Sequence, residues 1–155
     1  MKWTFLVRCM IASMAFVGVA ALAEATTTLQ KQFISSPSAS YSNAVTVSAG
    51  DITTIYISGQ VGFLNGELPQ DFTKQTENMF ENLSLQLKAA GASLNDIVKT
   101  NIYIVNLDAE KFKIFSAVRK QYFTQTDMPA STLVGVQALV YPSIHIEIDA
   151  VAVIK

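Results

Sequence analysis

The sequence predicts an α+β domain in which a single sheet carries two helices on one face. Three observations predict it. Apolar residues recur every second position early and late in the chain, but every three or four positions over residues 70–90 and again after Asp108. Strands and helices alternate in the second half, in the order β-β-turn-α-β-α-β-β, which suits one sheet with one helical layer. No repeat or linker divides the chain after residue 40, and its 155 residues suffice for one core.

The elements follow in order. Residues 1–23, MKWTFLVRCMIASMAFVGVAALA, have a short positive start at Lys2 and Arg8, an uncharged run from Cys9 to Leu22, and small residues at Ala21 and Ala23. This is the pattern of a secretory signal peptide, and the run is short for a membrane span, which needs about 20 residues. Cleavage is expected after Ala23 or Ala25, with a periplasmic or secreted product and no membrane contact afterwards. Cys9 opens the apolar run instead of following it, which argues against a lipoprotein. Residues 24–32 read as a flexible leader and 33–155 as the domain, with a loose entry up to residue 40. Two strands are expected over Tyr41–Ser48 and Thr53–Ser58, joined by a short turn. Asn65-Gly66 signals a tight turn. From Gln70 to Ala90, Phe72, Thr76, Met79, Phe80, Leu83, Leu87 and Ala90 mark one helix face, with Pro69 before it and Gly91 after it. Ile97–Val105 reads as a strand. Asp108 caps a second helix with Phe112, Phe115, Val118 and Tyr122 on one side. Ser131–Val140 and Ile144–Ile154 are the last strands. The parity away from the helices holds Tyr56, Tyr103, Val105, Val134, Val136, Val151 and Val153, too apolar for an open face, so an oligomer in which sheets pack together is expected.

Composition excludes several functions. Without Lys2 and Arg8, nine basic residues face twelve acidic ones and the net charge is near −3, which gives no electrostatic reason to bind nucleic acid. Without Cys9 the chain has no cysteine, hence no disulfide, thiol nucleophile or cysteine metal site. One arginine remains, Arg119 on the second helix, where a solvated face is expected. The last strand, HIEIDAVAVIK, sets His145, Glu147 and Asp149 on one parity. These three are spread along a strand, and with no second histidine they do not make a metal site. No G-x-S-x-G accompanies the histidine, so a serine triad has no support. The glycines of SGQVGFLNG lack the helix start that a phosphate cradle needs, so they read as a hairpin.

Four stretches together resemble the Rid family, also called YjgF/YER057c/UK114: YISGQVG (56–62), QTENMFENLSLQLKAAGASLNDIVKTNIYIVNLD (75–108), MPASTLVGV (128–136) and HIEIDAVAV (145–153). The resemblance implies a chorismate-mutase-like fold and a homotrimer whose clefts between subunits bind a small molecule. In the deaminase branch it implies cofactor-free hydrolysis of enamines and imines to 2-oxo acids and ammonia, with an arginine in P-A-R-[ST] gripping the substrate carboxylate. Carried over residue by residue, Glu147 is the catalytic, water-positioning glutamate, and Tyr41, Ser58 and Thr132 are substrate-binding residues. At the arginine position this chain has Ser131, a neutral hydroxyl in place of five charged donors. The ribonuclease activity attributed to some relatives is disfavoured by the acidic charge and the single remaining arginine, which leaves two readings ahead of it. One is an exported hydrolase of small C=N compounds with an altered substrate. The other is a non-catalytic trimer that binds a metabolite or shields unfolded protein. Neither uses a metal or a cofactor.

Overall fold

The computed structural model describes residues 28–35, 40–124 and 126–155. The expected signal segment lies outside the described residues, as do residues 24–27 of the leader. Among the described residues six strands and two α-helices follow in order: β1 (Gln30–Ser35), β2 (Ser42–Ala49), β3 (Ile52–Val61), α1 (Phe72–Ala89), β4 (Ile97–Val105), α2 (Ala109–Tyr122), β5 (Ala130–Val136) and β6 (Ile146–Ile154). They form one mixed sheet in the order β1-β2-β3-β6-β4-β5, in which only β4 and β5 run parallel. The α+β expectation holds.

Two boundaries need correction. The flexible leader was expected to reach residue 32, but residues 30–32 already belong to β1, which pairs antiparallel with β2 from Gln30↔Ser48 to Ser35↔Ser42. The last of the parallel strands ends at Val136, not Val140. Its partner β4 stops at Val105, and the chain turns at Asn106 (φ 49°), whose N–H donates to the Val136 carbonyl. Beyond that point β5 has no strand to pair with.

Helix α1 lies within the expected Gln70–Ala90 and α2 starts after the expected cap Asp108, but α2 ends at Tyr122, well before Met128-Pro129. Asp71 Oδ1 accepts from the Lys74 N–H at 2.8 Å and Asp108 Oδ1 from the Lys111 N–H at 2.8 Å. Each thereby satisfies one orphan donor of a first turn. Helix α1 ends on Gly91 (φ 81°), with Ala92 N–H on the Leu87 carbonyl and Gly91 N–H on the Lys88 carbonyl. These two bonds form a Schellman motif, which requires the left-handed conformation glycine adopts freely.

The core lies between helices and sheet. Met79, Phe80, Leu83 and Leu87 of α1 and Phe115 and Val118 of α2 meet Ile55, Ile102, Ile104, Ile146 and Ile148 of the strands. Each fully buried side chain of this size contributes about 1.5–3 kcal/mol. Phe80 stacks on Tyr122 at 4.9 Å between ring centroids and meets Phe123 edge-on at 6.0 Å. Phe112 does not join them. It is 53% exposed, one helical step outside the buried stripe. On the other face of the sheet, Tyr56, Val134 and Val153 are exposed. The same face has a polar centre: Asp149 accepts from Asn101 Nδ2 at 2.8 Å and from the Tyr103 hydroxyl at 3.2 Å.

Candidate functional site

A cleft of about 720 Å³ opens at one end of the sheet. Its walls are Tyr41 before β2, Ser58, Gly59 and Val61 of β3, Phe63 and Leu68 of the following turn, Val140, Tyr141 and Ile144 of the β5–β6 loop, and Glu147 of β6. Three residues singled out from the sequence, Tyr41, Ser58 and Glu147, thus meet in one place. The turn that carries Phe63 and Leu68 is the expected Asn65-Gly66 hairpin. Leu64 and Glu67 exchange N–H···O bonds at 2.9 and 3.0 Å, and Asn65 and Gly66 both have positive φ, as a type I′ turn requires.

A β-bulge builds the cleft floor. Ile57 pairs with Ala150 and Gln60 with Ile148, so Ser58 and Gly59 together face Asp149. Such an extra residue re-aims side chains at the edge of a site. The Ser58 hydroxyl donates to the Ser42 carbonyl at 2.6 Å, which leaves its lone pairs as its remaining hydrogen-bonding capacity. A Cβ at Gly59 would lie 1.8 Å from Glu147 Oε1, so a larger residue there would displace this carboxylate. The carboxylate therefore lies over the bulge, in space that any other residue at 59 would occupy. Burial, and secondarily the charge of Asp149, push the Glu147 carboxyl above the ordinary glutamate value.

Gln75 was not singled out in the sequence, yet it holds the cleft mouth. Its side chain is fully buried. Nε2 donates to the Pro69 carbonyl and the Ser143 carbonyl, each at 2.8 Å, and Oε1 accepts from the His145 N–H at 2.8 Å. One amide on α1 thus ties the Asn65-Gly66 turn to the β5–β6 loop. The sole hint in the sequence is a polar residue three positions after Phe72, on the apolar stripe of α1. Gln75→Ala would leave three partly buried backbone groups without this partner, each worth roughly 1 kcal/mol or more. We expect a loss of about 3 kcal/mol or more in urea unfolding, whereas Leu85→Ala on the exposed face of α1 should change stability by less than about 1 kcal/mol.

The remaining residues do not converge with these in one chain. Ser131 pairs with Thr100, and its Oγ accepts from Thr100 Oγ1 at 3.1 Å. It lines a separate cavity of about 290 Å³ with Phe112, Arg119, Phe123 and Met128. Arg119, expected on a solvated face, instead lies over the Phe123 ring, 5.3 Å from its centroid. Thr132 shares the other face of the sheet with Lys99, whose Nζ donates to its Oγ1 at 2.6 Å. His145 precedes β6 and does not line the cleft. Among the described residues no group of histidine, aspartate and glutamate is arranged to hold a metal ion.

The family profile described as Endoribonuclease L-PSP matches residues 33–154. The chain is 39% identical over 116 residues to a 2-iminobutanoate/2-iminopropanoate deaminase of Mus musculus, covering 73% of this chain and 80% of that protein. It is 33% identical over 133 residues to a protein of the same description from Dermatophagoides farinae, covering 81% and 98%. Among solved structures it is similar to RidA from an Antarctic Psychrobacter, with a TM-score of 0.64, 37% identity and coverage of 74% and 89%. It is also similar to Escherichia coli TdcF with bound serine, with a TM-score of 0.64, 31% identity and coverage of 74% and 88%.

Proposed function

This chain belongs to the Rid (YjgF/YER057c/UK114, Endoribonuclease L-PSP) family, with imine deaminases among its relatives, and from that premise we propose that it hydrolyses small imines or enamines that carry no carboxylate handle. The observation that carries the reading is the placement of Glu147. Its carboxylate lies over Gly59 in the cleft, beside Ser58 and Tyr41, with a proton affinity raised by burial. A carboxylate of raised pKa positions a water and accepts its proton as the water oxygen attacks the C=N carbon. Imines already hydrolyse in water, so orientation and charge matching suffice for the remainder.

In this reading the active unit is a homotrimer. A second copy brings its β5 edge, with Ser131 and Thr132, to the cleft and covers the apolar parity of the sheet. The protein acts outside the cytoplasm after its first 23–25 residues are removed. Ser131 favours a second reading, a trimer that binds a metabolite without turning it over, because the serine lacks the charge that would fix an acidic substrate. The test is ammonia release from a panel of neutral imines, measured by a coupled dehydrogenase assay. At least tenfold acceleration over buffer for one member is expected. Buffer rates across the panel, with the compounds nevertheless bound, would replace the hydrolase with the binding protein.

A further inference from the structure

The cleft's polar groups match one kind of ligand. Among the described residues that line it, Glu147 is the only charged one, and none is lysine, arginine or histidine. The Ser58 hydroxyl already donates its hydrogen bond to the Ser42 carbonyl, so it offers an acceptor. Asp149, across the bulge from Ser58 and Gly59, adds a second negative charge nearby. On the β5 flank Lys99 donates to Thr132 and Arg119 lies over the Phe123 ring, and neither lines the cleft of this chain. The rest of the wall is apolar or aromatic: Tyr41, Val61, Phe63, Leu68, Val140 and Tyr141. Its volume of about 720 Å³ falls among pockets that enclose ligands far larger than a three- or four-carbon imino acid. A carboxylate entering here would meet like charge and, on the walls that one chain supplies, no donor cation. A protonated nitrogen would meet a carboxylate, a hydroxyl oxygen and aromatic faces.

We infer that the cleft takes an apolar primary amine in its cationic form, or the iminium ion derived from one, with nitrogen at Glu147 and Ser58 and the hydrocarbon or aryl arm along Phe63, Val140 and Tyr141. The inference rests on the reading of the cleft as the reacting site and names its substrate class. For an iminium R–CH=NH2⁺, the oxygen of water bonds to carbon while the π pair moves to nitrogen. Glu147 accepts the water's proton. The proton held by Glu147 then passes to the amine nitrogen, an oxygen lone pair forms the C=O bond as the C–N bond breaks with its pair on nitrogen, and the departing ammonia takes the remaining hydroxyl proton. The products are an aldehyde and ammonium, which balances the iminium and one water in atoms and charge.

The experiment is calorimetric titration of the full protein with 2-phenylethylamine, 3-phenylpropanoate and 3-phenylpropanol. These share an aryl arm and differ at the polar end. The amine should bind at least about tenfold more tightly than the other two, in keeping with a charge-assisted contact. Glu147→Gln should remove most of that preference. Val140→Lys, a substitution on an exposed loop residue, should weaken the amine and strengthen the acid without touching the core. Equal affinity for acid and amine, or amine affinity unchanged in both variants, would overturn the inference. Tight amine binding with no ammonia release from the corresponding imine would sink the hydrolase reading and leave the ligand class standing. Hydrolysis of imines with no preference for the apolar cation would do the reverse.

Discussion

Replacing Ser131 with arginine is expected to raise kcat/KM for 2-iminopropanoate about 30- to 150-fold, the equivalent of restoring roughly 2–3 kcal/mol of charge-assisted binding to a carboxylate. The wild type should barely exceed the rate in buffer. The measurement is loss of the imine generated in situ by a dehydratase from serine. Ser131 is exposed on the edge strand β5, so a longer side chain has room there. Arg119 and Lys120 line the same cavity and would repel a new guanidinium outward, toward the edge that a second copy meets in the proposed trimer. Ser131→Gln, with similar reach and no charge, should gain little. A wild-type rate matching that of Ser131→Arg would mean that another group holds the carboxylate. Arg119→Met would then identify whether that group is the arginine stacked on Phe123.

The second large effect concerns Glu147. Glu147→Gln should lower turnover of a neutral imine about 10²-fold, the lower end of what a positioned proton acceptor contributes. The same change should make the protein more stable near neutral pH. Burial raises the folded carboxyl above its ordinary value, so the folded state binds the proton more tightly than the unfolded one. Stability therefore falls as pH rises through the window between the unfolded and folded values, and stays lower above it. Glutamine removes that burden. The variant's Tm should exceed the wild type's at pH 7 by a few degrees or less, and the gap should close as pH drops below the unfolded glutamate value. In the wild type, activity should fall on acidification at a higher pH than an ordinary glutamate would produce. Equal melting at both pH values, with activity lost, would show that Glu147 does not feel the burial invoked here.

Much of this was legible in the sequence because it follows from periodicity. The stripe from Phe72 to Leu87 and the closing Gly91 gave α1, although its N-cap Asp71 was not singled out. The alternation HIEIDAVAV put Ile146 and Ile148 inside and Glu147 outside, as observed. Asn65-Gly66 announced its turn. What escaped depends on partners distant in sequence. QKQFIS, the segment of β1, is too polar to signal a strand, and it becomes one by pairing with β2. The Ser58-Gly59 bulge is a mismatch of register with β6, which neither strand shows alone. Gln75 reads as surface because its type usually is. Only the fold brings three backbone groups to it. Phe112 looked internal by spacing, but the buried stripe of α2 passes through Phe115 and Val118 instead.

The Gln75 clamp has an architectural corollary. It grips the β5–β6 loop near its root, at Ser143 and His145, while Val140 and Tyr141 lie beyond the grip, 73% and 64% exposed. The loop is a cantilever with a fixed base and a projecting tip. Its tip can be exchanged for another sequence while the strand that carries Glu147 keeps its seat, so evolution or an engineer could graft new selectivity onto this scaffold by rewriting residues 137–141 alone.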